Sequence, residues 1–288
     1  MNTAKHFTQT ALALTAPLGA AAAFGQAKNA TPAPAPAQAQ GQPETITIPL
    51  SRPGEPMSLN IDILSAHIEV IGEERKDVAV TVTLSSGRRK IVTPSGPKML
   101  SGGGSGLEIS ERDNRVSIES EAPPTNRITI VARVPRRATL NLSTVNEGEI
   151  IVRDVVGDLE LENINGPITA TNITGSVIAE SVNNPIAVGL AGVVAGGATS
   201  LSSLNGDITL TLPASAKAEL HLDTSRGEMV SDFELDVKPS KPRIERNESR
   251  GGVSVRMEDV IVATLNGGGP VIRVKTLNGT IKIAQSGR

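Results

Sequence analysis

From Glu44 onward, apolar and polar residues alternate in short runs rather than at helical spacing. Examples are Thr45-Ile46-Thr47-Ile48, Leu59-Asn60-Ile61-Asp62-Ile63, Ile68-Glu69-Val70 and Val78-Ala79-Val80-Thr81-Val82. Period-two runs rich in β-branched residues and bounded by Pro and Gly predict strands. Residues 85–106, with Arg88-Arg89-Lys90 and Gly102-Gly103-Gly104, break the alternation and predict a long mobile loop. Strands resume at 107–109, 116–118, 128–131 and 138–142.

From Val145 the pattern acquires a longer period. Gly148, Gly157, Gly166 and Gly175 are nine residues apart, and Asn184 takes the next place. Two residues after each stands an apolar side chain: Ile150, Leu159, Ile168, Val177 and Ile186. Four after stand Val152, Leu161, Ala170, Ala179 and Val188. A small polar column follows at plus six, Asp154, Asn163, Asn172 and Ser181, and an apolar one at plus seven, Val155, Ile164, Ile173 and Val182. Each unit reads as a strand with two inward side chains and then a corner. There Gly or Asn supplies positive φ, and the small polar residue bonds corner backbone groups. A nine-residue unit cannot bury its own apolar face, so units must stack. Two units per turn make a parallel β-solenoid with neighbouring coils about 4.8 Å apart.

The period slips in Gly192-Val193-Val194-Ala195-Gly196-Gly197-Ala198, and the motif returns at Leu204-Asn205-Gly206, Leu265-Asn266-Gly267 and Leu277-Asn278-Gly279. The Asn-Gly pairs also fit an antiparallel meander of two-residue hairpins. The fixed count of nine favours the solenoid between 145 and 190; elsewhere antiparallel pairing stays open. Residues 234–250, rich in Lys, Pro, Arg and Glu, predict a solvated loop. The fold class is all-β, an antiparallel or irregular amino-terminal part (44–135) followed by a solenoid repeat region (136–288).

Residues 1–27 have the layout of a secretory leader: Lys5, an Ala/Leu-rich run from Ala11 to Phe24, then Gly25-Gln26-Ala27 as a cleavage site. The apolar run is too short for the roughly 20 residues a membrane span needs. Residues 28–43 alternate Ala and Pro and predict an extended linker. Periplasmic or extracellular localisation follows.

Composition narrows function. There is no Cys, Trp or Tyr, and loss of the leader leaves Phe233 as the one aromatic side chain. Disulfides and thiolate chemistry are excluded. Net charge −2 and missing stacking platforms disfavour nucleic acid. Charge is uneven, however: residues 141–212 hold eight acids against Arg153 alone, and residues 84–137 hold ten bases against five acids. The acids read as a soluble outer face, or as a ridge for a basic partner.

Val134-Pro135, the repeats from Asn146 to Val188, Leu212-Pro213 and the closing Asn278-Gly279-Thr280-Ile281-Lys282-Ile283 follow one another in a telling order. That order, over roughly residues 59–283, resembles a bacterial adhesin-like family of unknown function whose members carry stacked Asn-Gly-x-Ile units. The resemblance implies architecture and brings no catalytic residues.

Candidate chemistry is sparse. His67 and His221 alternate with apolar residues and are expected on the solvent face, without the further ligands a zinc site needs. A calcium-binding repeat would need an aspartate in each turn, whereas the polar column holds Asp154 against Asn163, Asn172 and Ser181. Glu160, Glu162 and Glu180 are the one set of acids placed to converge, which a polysaccharide lyase or hydrolase would require together with a base or aromatic. No catalytic, cofactor or metal residue is therefore assigned, and the chain is not expected to be an enzyme. The expectation is a non-catalytic, adhesin-like interaction or structural module of the cell envelope, binding an envelope or surface protein or polysaccharide. The alternatives are a polysaccharide-active enzyme and a self-assembling scaffold.

Overall fold

The computed structural model describes residues 43–85, 107–120, 127–146, 148–238, 243–249, 252–258 and 260–287. The expected leader, most of the linker and nearly all of the loop at 85–106 lie outside them. The described part is all-β.

Two large sheets share the strands. The first holds, in spatial order, β1 (Glu44–Pro49), β4 (Asp77–Ser85), β7 (Arg127–Pro135), β3 (Ala66–Glu73), β9 (Ile150–Arg153), β11 (Ile168–Thr174), β13 (Ile186–Gly192), β15 (Ile208–Leu212), β23 (Ile281–Gln285) and β17 (Met229–Ser231). The second holds β18 (Asp236–Lys238), β21 (Ile261–Leu265), β16 (Ala218–Thr224), β22 (Val271–Thr276), β14 (Thr199–Ser203), β12 (Val177–Ser181), β10 (Leu159–Asn163), β8 (Ala138–Thr144), β2 (Met57–Ile63), β6 (Arg115–Ser120) and β5 (Leu107–Arg112). From β8 to β15 the chain alternates between the sheets, and each strand pairs in parallel with the strand two elements on.

The register reproduces the count of nine. Ile150 stands against Ile168 and Ile168 against Ile186, and Leu159 stands against Val177. The Gly/Ala stretch at 192–198 lengthens one corner, so Ile186 meets Ile208. These inward residues are buried in one apolar cluster that continues from Ile48 to Ile283. Like residues therefore stack on like, for instance Leu140, Leu159 and Val177.

Three expectations need correction. The amino-terminal strands are mixed. β1–β4, β4–β7 and β5–β6 are antiparallel, but β2 and β3 pair in parallel with β8 and β9, so both sheets run through residue 136 without a break. Within residues 234–250, the described segments 236–238 and 243–249 are strands. β18 is held antiparallel by β21, and β19 (Arg243–Ser249) by β20 (Gly252–Glu258), because partner strands occur later in the chain than the local charge pattern reveals. Finally, the plus-seven column is two columns. Where the chain passes from the first sheet to the second, Asp154 and Asn172 adopt φ of 60° and 57°, turning the next residues, Val155 and Ile173, into the core. In the opposite corners Asn163 and Ser181 point inward, so Ile164 and Val182 point outward.

Candidate functional site

The second-to-first-sheet corners stack with an unusual side-chain order. Inside lies a small polar column, Thr144, Asn163, Ser181, Ser203 and Thr276, all buried. For Asn163 and Ser181 it satisfies corner backbone as the sequence predicts, whereas Asp154 and Asn172 of the predicted column lie outside the core and bond each other instead. Asn163 Nδ2 donates to the Gly148 carbonyl at 2.9 Å, Thr276 Oγ1 to that of Gly206 at 3.0 Å, and Ser203 Oγ accepts from the Gly206 amide at 2.9 Å. The Asn163 Oδ1 atom is buried without a partner. The glycines of these corners serve close approach rather than positive φ: a Cβ on Gly166 would sit 1.5 Å from the Gly148 carbonyl oxygen.

Outside, the same corners carry an asparagine ladder. Asn183 Nδ2 donates to Asn165 Oδ1 at 2.9 Å, Asn205 to Asn183 at 3.0 Å, and Asn278 to Asn205 at 2.7 Å. Amides can repeat this way indefinitely, since each offers a donor to one neighbour and an acceptor to the other.

Beside the ladder runs an aliphatic ridge. Leu64, Val145, Ile164, Val182, Leu204 and Leu277 occupy equivalent corner positions, laddered through backbone bonds such as Asn165 N to Val145 O, Asn183 N to Ile164 O and Asn278 N to Leu204 O. Six side chains at strand spacing make a stripe of about 24 Å. Leu64, Ile164, Leu204 and Leu277 are 43%, 41%, 44% and 39% exposed, so the stripe faces solvent. Its neighbouring outward column in the second sheet reads Asp62, Ser143, Glu162, Glu180, Ser202 and Lys275 in register. Glu162 and Glu180 are adjacent rungs with no ion pair among the described residues, and a shallow groove of about 380 Å³ joins them to Ile164, Val182, Leu204 and Leu277.

The three candidate carboxylates thus share the outer face of the second sheet but split into two columns. Glu162 and Glu180 are neighbours, whereas Glu160 stands opposite Ile178 and accepts from Asn141 Nδ2 at 3.3 Å. His67 and His221 lie far apart in different sheets. His67 Nδ1 is 3.9 Å from Glu149, and His221 Nε2 lies 2.8 Å from Glu219, which Lys238 also holds at 2.7 Å. The Lys238 hydrogen bond, then that of His221, lowers the Glu219 carboxyl to about 2. Among the described residues no group of three His, Asp or Glu could hold a metal, and no helix is long and apolar enough to cross a membrane. The sequence does not set the aliphatic ridge apart, because inward and outward plus-seven residues hold the same place in the count of nine. Its signal was the recurring aliphatic-Asn-Gly or aliphatic-Asn-Asn triplet.

No family model and no curated protein matches the chain. Solved structures are similar to it at low identity. A candidate cell adhesion protein from Clostridium sporogenes is 11% identical with a TM-score of 0.42, over 85% of this chain and 99% of that one. A candidate adhesin from Bacteroides fragilis is 13% identical with a TM-score of 0.37, over 84% and 97%. A candidate lipid-binding protein from Parabacteroides distasonis is 12% identical with a TM-score of 0.28, over 84% and 97%.

Proposed function

We propose that the chain is an exported β-solenoid of the cell envelope that acts without catalysis, as an adhesin-like interaction module whose contact surface is the aliphatic ridge with its acidic flank. The observation that carries this is the six-residue aliphatic stripe along one edge, in which Leu64, Ile164, Leu204 and Leu277 are exposed and Val145 and Val182 between them are half-buried. Scattered exposed aliphatics need no explanation, but a contiguous stripe rimmed by polar residues marks a docking surface. Glu162 and Glu180 favour a partner face that presents aliphatic side chains beside Lys or Arg. Residues 1–27 would direct export and residues 28–43 would space the folded part from the cleavage point.

Site-specific photocrosslinkers at Leu204 on the ridge and at Thr209 on the opposite sheet test the reading in intact cells. Crosslinking to one defined protein from Leu204 alone, lost in Glu162→Lys/Glu180→Lys and weakened by salt, supports it. Equal crosslinking from both faces, or none from Leu204, overturns it. Release of oligosaccharide from envelope polysaccharide, abolished by alanine at Glu160, Glu162 and Glu180, would instead establish the enzyme.

A further inference from the structure

The spatial order of the strands departs from chain order at several places, and one of them interrupts the parallel stack. β14 and β15 are followed in sequence by β16 and β17, yet these never pair with them. Between the two lies a gap one strand wide in each sheet, and it is filled by residues from much later in the chain. β22 pairs in parallel with β14 on one side and β16 on the other; β23 does the same with β15 and β17. Ile208 therefore meets Ile281 across 73 residues, while its preceding neighbour, Ile186, is only 22 away.

The corner residues explain which segment wins the gap. The inserted segment carries Thr276-Leu277-Asn278-Gly279-Thr280-Ile281, matching Ser203-Leu204-Asn205-Gly206-Asp207-Ile208 beneath it. Its three keys all engage: Thr276 bonds the Gly206 carbonyl, Asn278 extends the ladder from Asn205, and Thr280 N donates to Asp207 Oδ1 at 2.8 Å. The competing segment has Thr224-Ser225-Arg226-Gly227-Glu228-Met229, with Arg226 where the ladder needs an amide. Directly on β15 it would end the ladder one unit early. Beyond β23 the ladder amide is not needed: Thr224 bonds the Gly279 carbonyl at 3.0 Å, and Gly227 packs against that same carbonyl.

The inserted segment enters through Asn266-Gly267-Gly268-Gly269-Pro270. Asn266, Gly267 and Gly268 have φ of 48°, 86° and 87°. This linker crosses from β21, on one side of β16, to β22, on the other. Opening it frees the inserted segment while leaving β16 paired with β21.

We propose that the gap between β14–β15 and β16–β17 is a strand-acceptor site, and that residues 270–286 are a donor that exchanges with the same residues of a second copy of this chain. The contacts are identical in cis and in trans, so chain connectivity and concentration alone decide between them. The donor supplies two strands at once, each with a ladder on both sides, which is β-augmentation from within.

The chain lacks cysteine, so introduced thiols report without background. Thr209 and Lys282 are register partners across β15 and β23, at a spacing a disulfide bridges. Full-length Thr209→Cys and Lys282→Cys chains, distinguishable by mass, are mixed unfolded, refolded together and oxidised. The expected product is a covalent heterodimer joined at 209 and 282, its yield rising with protein concentration, while a chain with both substitutions refolded dilute closes on itself. Absence of the heterodimer at every concentration, with the double variant closing normally, overturns exchange. Failure of the double variant to close overturns the assignment of the gap itself. The pair Ser200→Cys and Arg273→Cys, partners across β14 and β22, repeats the measurement in the other sheet and covers any misfolding of the first.

Discussion

Asn278 donates its side-chain amide to Asn205 at 2.7 Å, joining residues 73 positions apart. Asn205 also donates to Asn183, so it is a central rung. Replacing Asn205 with Ala removes two amide contacts at a solvent-facing corner, each worth on the order of 0.5–1 kcal/mol. Urea denaturation should show a loss of about 1 kcal/mol. No change in midpoint would mean that the ladder is passive.

The stacked glycines set a harder limit. A Cβ at Gly166 would lie 1.5 Å from a backbone oxygen, whereas one at Gly192 would meet nothing within 4 Å. Gly166→Ala should therefore destabilise by roughly 3 kcal/mol or more, since backbone must shift to admit it. Gly192→Ala should leave the melting temperature nearly unchanged. Thermal unfolding of both variants separates close approach from a general intolerance of alanine.

Asn163 holds the Gly148 carbonyl through Nδ2 and leaves Oδ1 unpartnered in the interior. Thr144 and Thr276 stand at equivalent corners and bond the neighbouring carbonyl through one hydroxyl. Asn163→Thr keeps the donor, removes the orphan acceptor and should stabilise by about 1 kcal/mol. Asn163→Leu leaves the carbonyl unpaired and should cost about 1–3 kcal/mol. Equal stability of the two variants would show that this hydrogen bond contributes nothing.

The Glu219 contact carries a pH signature. Its carboxyl falls from an ordinary 4.5 to about 2, chiefly through the hydrogen bond from Lys238. A depressed acid stabilises the fold above its unfolded pKa, and that contribution is lost as pH falls through the folded one. The link between β16 and β18 should thus hold unchanged above pH 4.5 and be released between about 4.5 and 2. Carboxyl NMR should place the Glu219 midpoint in that range and move it upward in Lys238→Met. An unmoved midpoint would remove Lys238 as the cause.

Sequence periodicity reached the inward residues well. Ile150, Leu159, Ile168, Val177 and Ile186 all lie in the core, in two alternating sheets, because strand period and corner spacing are local properties. What periodicity could not separate was the handedness of successive corners. Val155 and Ile164 hold the same place in the count of nine, yet the left-handed backbone at Asp154 turns one inward and its absence at Asn163 leaves the other outside. The ridge is the result of that difference. Nor could it order β16 and β22, since the choice depends on whether Arg226 or Asn278 meets Asn205, a contact no local window contains. Asn266-Gly267 shows the same limit: it resembles the corner motif, but Asn266 donates to the Ala214 and Ala216 carbonyls and shapes the crossing to β22.

Strand order also bears on how the molecule carries force. A pull at residue 285 would act on β23, which is flanked on both sides by parallel partners, β15 and β17. The load runs along the strand, so two ladders must shear together before it moves. A strand at a sheet edge would instead unzip bond by bond from a single neighbour. Tension entering the chain from that side therefore meets the body of the stack rather than its margin.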